Sequence, residues 1–168
     1  MSQYEQMRQS QALCYGSAVA TIDLANLRHN AQCVRAVVGT VRILAIIKAN
    51  AYGHGLLAVA KALANSCDGF GVAHLQEALL LRHAGLQCPV LVLQGVFSAE
   101  QLQAASENNV SIVIHDPEQL ARLQYLRLLK PVDVWCKINT GMHRLGFDCQ
   151  QYSVVTVSYT HLTLPTIA

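Results

Sequence analysis

The sequence of 168 residues predicts an α/β protein built around a parallel β-sheet. Short apolar segments alternate with amphipathic helical segments at a repeat of roughly 20 to 25 residues, which is typical of right-handed βαβ units. One apolar segment, Arg42–Ile47, is nearly free of polar residues, as expected of a strand that is buried on both faces. Hydrophobic residues make up 52% of the chain and charged residues only 13%, which excludes an intrinsically disordered protein.

The predicted elements follow in chain order. The first strand is Ala18–Ile22, and Asp23 then caps a helix whose apolar positions repeat at intervals of three and four. The other predicted strands are Arg42–Ile47, Gly69–Val72, Pro89–Leu93, Ser111–Ile114 and Val132–Ile138. Of the other four predicted helices, one ends at Ala64 and one runs from Pro117 to about Leu129. The remaining two span Leu75–His83 and Ala99–Glu107. Ser98 and Asp116 are the expected N-caps of the last two helices.

Six strands and five helices of this kind are compatible with two arrangements of the sheet, one open and one closed. An open, doubly wound sheet is complete in one domain of about 150 residues, whereas a (β/α)8 barrel typically needs about 250. Periodicity and length alone therefore favour the open sheet.

Charge and hydropathy exclude several classes of partner. A net charge of +2 creates no basic field for nucleic acid. No apolar run approaches the about 18 residues of a transmembrane helix, and residues 1–17 lack the apolar core of a signal peptide. The six cysteines form no CxxC pair, and the seven histidines show no HExxH spacing. We therefore expect a cytoplasmic protein with no membrane or nucleic-acid partner and no metal site.

The loop Lys48–Gly55 (KANAYGHG) is the first candidate for chemistry, because a lysine at the carboxyl end of a strand lies where α/β enzymes place their sites. Such a lysine can form a Schiff base with an aldehyde such as pyridoxal 5'-phosphate. The alternative interpretation is that Lys48 merely extends its ammonium group from the strand end into solvent. Gly53, Gly55 and Ala58 also spell G-x-G-x-x-A, but this is a weak dinucleotide signal because the first glycine does not follow the strand directly.

The loop Lys137–Gly146 (KINTGMHRLG) is the second candidate and again follows a strand directly. Arg144 can bind a carboxylate or a phenolate through two parallel hydrogen bonds. Standing alone, the segment is more typical of an ordinary polar loop that carries a solvated arginine. The sequence contains neither G-x-S-x-G nor G-x-x-x-x-G-K-[ST], which removes the common serine-hydrolase and P-loop interpretations.

Four segments together resemble the alanine racemase family. They are TIDLANLRHN at 21–30, IIKANAYGHG at 46–55, GFGVAHLQEALLLRHAG at 69–85 and KINTGMHRLGF at 137–147. The resemblance implies a fold-type III pyridoxal-phosphate enzyme with a (β/α)8 TIM barrel, a C-terminal β domain and a homodimeric assembly. The expected fold therefore changes to a partial barrel with about six of its eight strands, truncated before the C-terminal β domain.

The resemblance also implies roles for four residues. Lys48 would carry pyridoxal 5'-phosphate and act as the base on the D-alanine face, and Tyr52 would hydrogen-bond the cofactor phosphate. Arg144 would contact the phenolic oxygen of the cofactor and help to bind the substrate carboxylate. Lys137 matches a position that is carbamylated in some family members. The implied function is the interconversion of L-alanine and D-alanine for the supply of peptidoglycan precursors.

The resemblance divides the chain into three parts: a polar extension at residues 1–17, an incomplete barrel at 18–150, and a tail at 151–168 that is foreign to the family. In the family the second catalytic base is a tyrosine from the C-terminal domain of the partner subunit, so we expect this chain alone to be inactive. A non-catalytic pyridoxal-phosphate-binding barrel and a nucleotide-binding open sheet are the alternatives. KANAYGHG and TGMHRLG favour the racemase over both.

Overall fold

The structure is a computed structural model that describes residues 20–151 except 127 and 129. The helices are α1 (Leu24–Val38), α2 (Leu56–Leu63), α3 (Leu75–His83), α4 (Ala99–Glu107) and α5 (Pro117–Tyr125). The strands are β1 (Leu44–Ile46), β2 (Gly69–Val72), β3 (Val90–Val92), β4 (Ser111–Ile114), β5 (Val134–Cys136), β6 (Ile138–Asn139) and β7 (Phe147–Asp148). A helical turn, Lys48–Tyr52, follows β1, and a 3-10 helix spans Cys149–Gln151.

The main sheet contains five parallel strands in the unbroken order β1-β2-β3-β4-β5. A doubly wound sheet reverses its strand order at a switch point, whereas a barrel wall adds each new strand beside the previous one. The order therefore confirms a partial α/β barrel and shows that the open sheet favoured by periodicity is wrong. Periodicity could not decide between them, because both folds repeat the same βα unit and differ only in where the next strand pairs.

Three predicted elements need correction. Within the predicted strand Ala18–Ile22, residues 20–22 form no strand, and residues 18 and 19 lie outside the described residues. The predicted strand Val132–Ile138 divides into β5 and the start of β6, which pairs in parallel with β7 in a separate two-stranded sheet. The helix predicted to reach Leu129 ends at Tyr125. In the described part of the chain the main sheet thus has five strands instead of six.

The hydrophobic core lies between one face of the sheet and the helices. Phe70, Val72, Val90, Val92 and Ile112 alternate along β2, β3 and β4 and pack in one cluster with buried residues of α2, α3 and α4. The central strands β2 and β3 are buried along their whole length, while Ile46 on β1 is 40% exposed and Trp135 on β5 is 54% exposed. Helix α1 contributes only partly buried side chains to this core. Among the described residues, no helix is long and apolar enough to cross a membrane.

Arg82 joins three segments at the amino end of the sheet. Its Nε donates to the carbonyl of Asn108 at 3.0 Å, and its Nη2 donates to that of Asn109 at 2.9 Å. Its Nη1 donates to the carbonyls of Leu86 and Cys88, both at 2.8 Å. Partial burial lowers the pKa of the guanidinium below its usual value. One side chain of α3 therefore fixes the loops that enter β3 and β4.

The pair Arg35–Asp68 makes a similar connection for the first two strands. The Nη2 of Arg35 on α1 lies 2.5 Å from the Oδ2 of Asp68, which also accepts the backbone N–H of Ile43 at 2.7 Å. The Nη1 of Arg35 donates to the carbonyl of Val41 at 2.7 Å. The N–H of Ile43 and the charge of Arg35 together hold the pKa of Asp68 below its ordinary value. This cluster ties α1 to the segments that enter β1 and β2.

Candidate active site at the carboxyl end of the sheet

Lys48 lies directly beyond β1, at the carboxyl end of the sheet. The backbone N–H of Ile47 donates to the carbonyl of Gly71 at 2.8 Å, so the pairing of β1 with β2 continues to the residue before the lysine. Ile47 is 3% exposed and Lys48 is half-buried. Lys48 therefore follows a paired and buried segment of the sheet and keeps part of its own surface exposed.

The residues that follow Lys48 form a left-handed helical turn. Ala49, Asn50, Ala51 and Tyr52 all have φ between 53° and 56°. We call Lys48–Tyr52 the lysine turn. L-residues avoid this conformation at a cost of roughly 1–2 kcal/mol each, so four in succession need strong local support. The sequence predicted a loop here, and neither alanine nor tyrosine signals a left-handed backbone.

Asn50 supplies much of this support through three groups. Its Oδ1 accepts the N–H of Leu56, the first residue of α2, at 2.8 Å. Its own N–H donates to Oε1 of Glu77 on α3 at 3.2 Å. Its carbonyl accepts the N–H of Gly53, which ends the turn at φ 84°. Asparagine tolerates the left-handed region better than other L-residues, so it suits this position sterically as well.

Tyr52 and His54 complete the loop. Tyr52 is 59% exposed. The ring Nδ1 of His54 hydrogen-bonds the carbonyls of Ala51 and Tyr52 at 2.9 and 3.1 Å. Gly55 is the N-cap of α2 and follows no strand directly, so the structure does not support a dinucleotide fingerprint at Gly53 and Gly55.

The three βα loops after β2, β3 and β4 share one capping arrangement. In each, the third residue of the helix accepts the backbone N–H of the residue before the N-cap. The three bonds are Ala73 to Glu77 at 2.8 Å, Phe97 to Gln101 at 2.8 Å and His115 to Gln119 at 2.9 Å. Ser98 and Asp116 accept the N–H of Gln101 and Gln119, respectively, which confirms their prediction as N-caps.

Two of these capping side chains also reach the preceding βα loop. The second carboxylate oxygen of Glu77 binds Asn50 in the lysine turn, and the amide nitrogen of Gln119 donates to the carbonyl of Gln94 at 3.2 Å. Gln101 makes no such crossing contact within the described residues. The capping side chains of α3 and α5 thus each join their own βα loop to the βα loop before it.

The second candidate loop is built around Asn139. Its Oδ1 accepts the N–H groups of Gly141 and His143 at 3.2 and 3.0 Å. Gly146 ends the loop at φ 123°. A Cβ atom added at this residue would lie 2.8 Å from the backbone nitrogen of Asn139. We call Thr140–Gly146 the arginine loop, because it carries Arg144, whose side chain is exposed.

Lys137 connects the arginine loop to the main sheet. Its N–H donates to the carbonyl of Ile114 on β4 and its carbonyl accepts the N–H of Phe147, both at 2.9 Å. Lys48 and Lys137 therefore follow β1 and β5, the two edge strands of the sheet. The structure brings all four predicted site residues to the same end of the sheet, with Lys48 and Tyr52 in one turn and Lys137 and Arg144 across the sheet from them.

Sequence reasoning missed Asn50 and Glu77 as residues that organise the site. The signal for Glu77 was present, because a glutamate at the third position of a predicted helix is typical of a capping box. Its second contact, to a loop 27 residues earlier, has no local signal in the sequence.

The chain matches known proteins over most of its length. The family model of the alanine racemase N-terminal domain matches residues 22–163, which overlaps the segment that the sequence interpretation assigned to a foreign tail. That interpretation and the other domain boundaries stay predictions, and residues 152–168 lie outside the described residues.

Individual relatives agree with the family match. Alanine racemase of Hamiltonella defensa is 50% identical over 134 residues, and that of Edwardsiella ictaluri is 47% identical over 135 residues. Each alignment covers 80% of this chain and 37% of the relative. The crystal structure of biosynthetic alanine racemase from Pseudomonas aeruginosa matches with a TM-score of 0.79 and 37% identity, over 86% of this chain and 39% of that one. The chain thus spans somewhat more than a third of the length of these relatives.

Proposed function

The chain belongs to the family of the alanine racemase N-terminal domain, and from this premise we propose that it is part of a pyridoxal-phosphate-dependent alanine racemase. The observation that carries the proposal is the position of Lys48, which begins a left-handed turn at the carboxyl end of a barrel strand. Such strand ends are where barrel enzymes bind substrates and cofactors. Tyr52 in the same turn, and Arg144 at the same end of the sheet, add two groups that suit an anionic ligand.

The chemistry of these side chains fits pyridoxal 5'-phosphate. The amine of the half-buried Lys48 can form a Schiff base with the aldehyde group of the cofactor, and the hydroxyl of the exposed Tyr52 can donate a hydrogen bond to its phosphate. The exposed guanidinium of Arg144 can donate to the phenolic oxygen. When bound, the cofactor supplies a ring that delocalises the negative charge that develops at the substrate Cα.

Four residues of this chain would then have separate roles. Lys48 would hold the cofactor, and its amine, when free, would take or return the Cα proton on one face of the substrate. Tyr52 orients the phosphate, and Arg144 binds the substrate carboxylate through parallel hydrogen bonds. Lys137, when carbamylated, orients Arg144 through its negative charge.

We further propose the substrate, the assembly and the location. Alanine is the substrate, and the product supplies peptidoglycan synthesis in the cytoplasm. A homodimer completes the site, because racemisation needs a proton donor on the face of the substrate opposite Lys48.

Attachment at Lys48 can be tested directly. The purified chain is incubated with pyridoxal 5'-phosphate, reduced with borohydride and mapped by peptide mass spectrometry. We expect the label on Lys48 in preference to Lys61, an exposed lysine of α2 that serves as the internal reference. Lys48→Ala should lose the preferred label, whereas Lys61→Ala should keep it. Equal labelling of both lysines, or a label elsewhere, would contradict the proposed function.

A further inference from the structure

We propose that Glu77 is a positioning residue for Lys48, because its carboxylate holds the lysine turn in its left-handed conformation. The proposal rests on the proposed function of Lys48, but its structural part can be measured without the cofactor. Glu77 lies on α3, at the third helical position, and so is part of a different βα unit from the lysine.

The two carboxylate oxygens of Glu77 serve two different loops. Oε2 accepts the N–H of Ala73 at 2.8 Å and that of His74 at 3.4 Å, where β2 leads into α3. Oε1 accepts the N–H of Asn50 at 3.2 Å, in the middle of the lysine turn. The side chain therefore fixes the turn relative to β2, the strand that pairs with β1 in front of Lys48.

A carboxylate is chemically required for this double contact. Both oxygens of glutamate accept hydrogen bonds, whereas glutamine offers one acceptor and one NH₂ donor. With glutamine at position 77, an NH₂ group would face a backbone N–H of one of the two loops. The negative charge also strengthens each hydrogen bond that the carboxylate accepts.

Gln101 shows that helix capping alone does not explain Glu77. It occupies the equivalent position of α4 and accepts the N–H of Phe97 at 2.8 Å, so its capping contact matches that of Glu77 to Ala73. Within the described residues, Gln101 has no contact to another βα loop. The contact with Asn50 is therefore additional to the cap, and it is directed to the turn that begins with Lys48.

The position of Lys48 depends on this contact because the turn is strained. The left-handed residues follow the lysine immediately, and relaxation of Ala49 or Asn50 to a right-handed conformation would change the direction in which the backbone leaves the strand. Such a change would move Tyr52 relative to Lys48. The two groups proposed to bind the aldehyde and the phosphate would then no longer have a fixed separation.

Glu77→Ala and Gln101→Ala form a matched pair of variants for the test, since each loses the capping contact to the residue before the N-cap. Glu77→Ala also loses the longer contact to His74 and the crossing contact to Asn50. The first measurement is amide hydrogen exchange of the full chain without cofactor. We expect Glu77→Ala to accelerate exchange at Asn50 and in residues 53–55 by about tenfold or more, the factor that one lost hydrogen bond to a charged acceptor allows. Gln101→Ala should accelerate exchange near Phe97 and leave the lysine turn unchanged.

The second measurement is the rate of borohydride-trapped labelling of Lys48 by pyridoxal 5'-phosphate, relative to Lys61. We expect Glu77→Ala to lower this ratio about tenfold and Gln101→Ala to leave it unchanged. Glu77→Gln keeps the volume of the side chain and should lower the ratio less. If circular dichroism shows that Glu77→Ala does not fold, Glu77→Gln alone decides whether Glu77 positions Lys48.

Unchanged exchange at Asn50 in both Glu77 variants would overturn the proposal, as would equal effects of Glu77→Ala and Gln101→Ala on Lys48. Absence of preferred labelling at Lys48 in the unmodified chain is a different result. It would count against the proposed function, while exchange at Asn50 would still decide whether Glu77 holds the turn.

Discussion

The two ends of the sheet use their cationic side chains in opposite ways. At the amino end, Arg82 donates to four backbone carbonyls, and Arg35 binds Asp68 and the carbonyl of Val41. At the carboxyl end, Lys48, Lys137 and Arg144 make no side-chain hydrogen bond or ion pair within the described residues. Neutral or acidic caps hold the loops there instead. Stabilising cations are thus separated from the cations available to bind a ligand.

Arg82→Ala is the variant for which this difference predicts the largest effect. We expect a loss of about 2–4 kcal/mol in the free energy of unfolding, because several partly buried carbonyls lose their donor at once. Arg82→Lys should recover less than half of this, since a lysine offers a single charged centre in place of the planar fork of the guanidinium. Urea unfolding followed by circular dichroism measures both variants.

Arg144→Ala is the matched control from the other end of the sheet. Its free energy of unfolding should stay within about 0.5 kcal/mol of the unmodified chain, as for most exposed positions. Equal losses for Arg82→Ala and Arg144→Ala would show that the two ends do not differ in this way.

A smaller effect distinguishes the two loops at the carboxyl end, each of which is organised by an asparagine. The side-chain oxygen of Asn50 accepts the N–H of Leu56, the first residue of α2, and asparagine tolerates the left-handed φ of this position better than alanine. Asn50→Ala should therefore lower the free energy of unfolding by about 1–2 kcal/mol. Asn139 binds residues of its own loop, so Asn139→Ala should change the global value by less than about 0.5 kcal/mol.

Amide exchange separates local from global effects for the same two variants. Asn139→Ala should accelerate exchange chiefly at Gly141 and His143, whose N–H groups lose their acceptor. Comparable global destabilisation by both variants would mean that the arginine loop is as tightly coupled to the core as the lysine turn.

The smallest expected effect is a pH dependence at the amino end. The pKa of Asp68 is lowered in the folded state, so this carboxylate contributes stability at pH values above its unfolded pKa, about 3.9. That stability is lost as the pH falls through this value toward the folded-state pKa. Urea unfolding at a series of pH values should therefore show a steeper acid loss for the unmodified chain than for Asp68→Asn. Parallel curves of the free energy of unfolding against pH would contradict a lowered pKa of Asp68 in the folded state.

Much of the barrel could be predicted from local patterns. The bounds of Gly69–Val72, Leu75–His83 and Ser111–Ile114 agree with the prediction, because apolar runs, caps and turns mark them in the sequence itself. The cap at Asp23 also agrees, since its side chain accepts the N–H groups of Ala25 and Asn26. These features depend on residues within a few positions of one another.

The features that were not predicted depend on distant partners. Strand order is decided by which strand pairs next, and the segment 20–22 resembles a strand in composition but has no strand partner within the described residues. The lysine turn is stabilised by Glu77, on the helix of the following βα unit. Lys48 and Arg144 were singled out by their loops after predicted strands, the roles of Lys48, Tyr52, Lys137 and Arg144 follow from a family resemblance, and these roles stay predictions.

The backbone of the lysine turn has the opposite handedness to the α-helices of the chain. Positive φ values such as those of residues 49–52 are the preferred region of D-amino acids, the mirror image of the right-handed helix that L-residues favour. A semisynthetic chain with D-alanine at the exposed position of Ala49 would therefore relieve strain there, whereas D-alanine at Ala25 in α1 would introduce it. The mirror-image backbone occurs directly beside the lysine proposed to act on the Cα configuration of alanine.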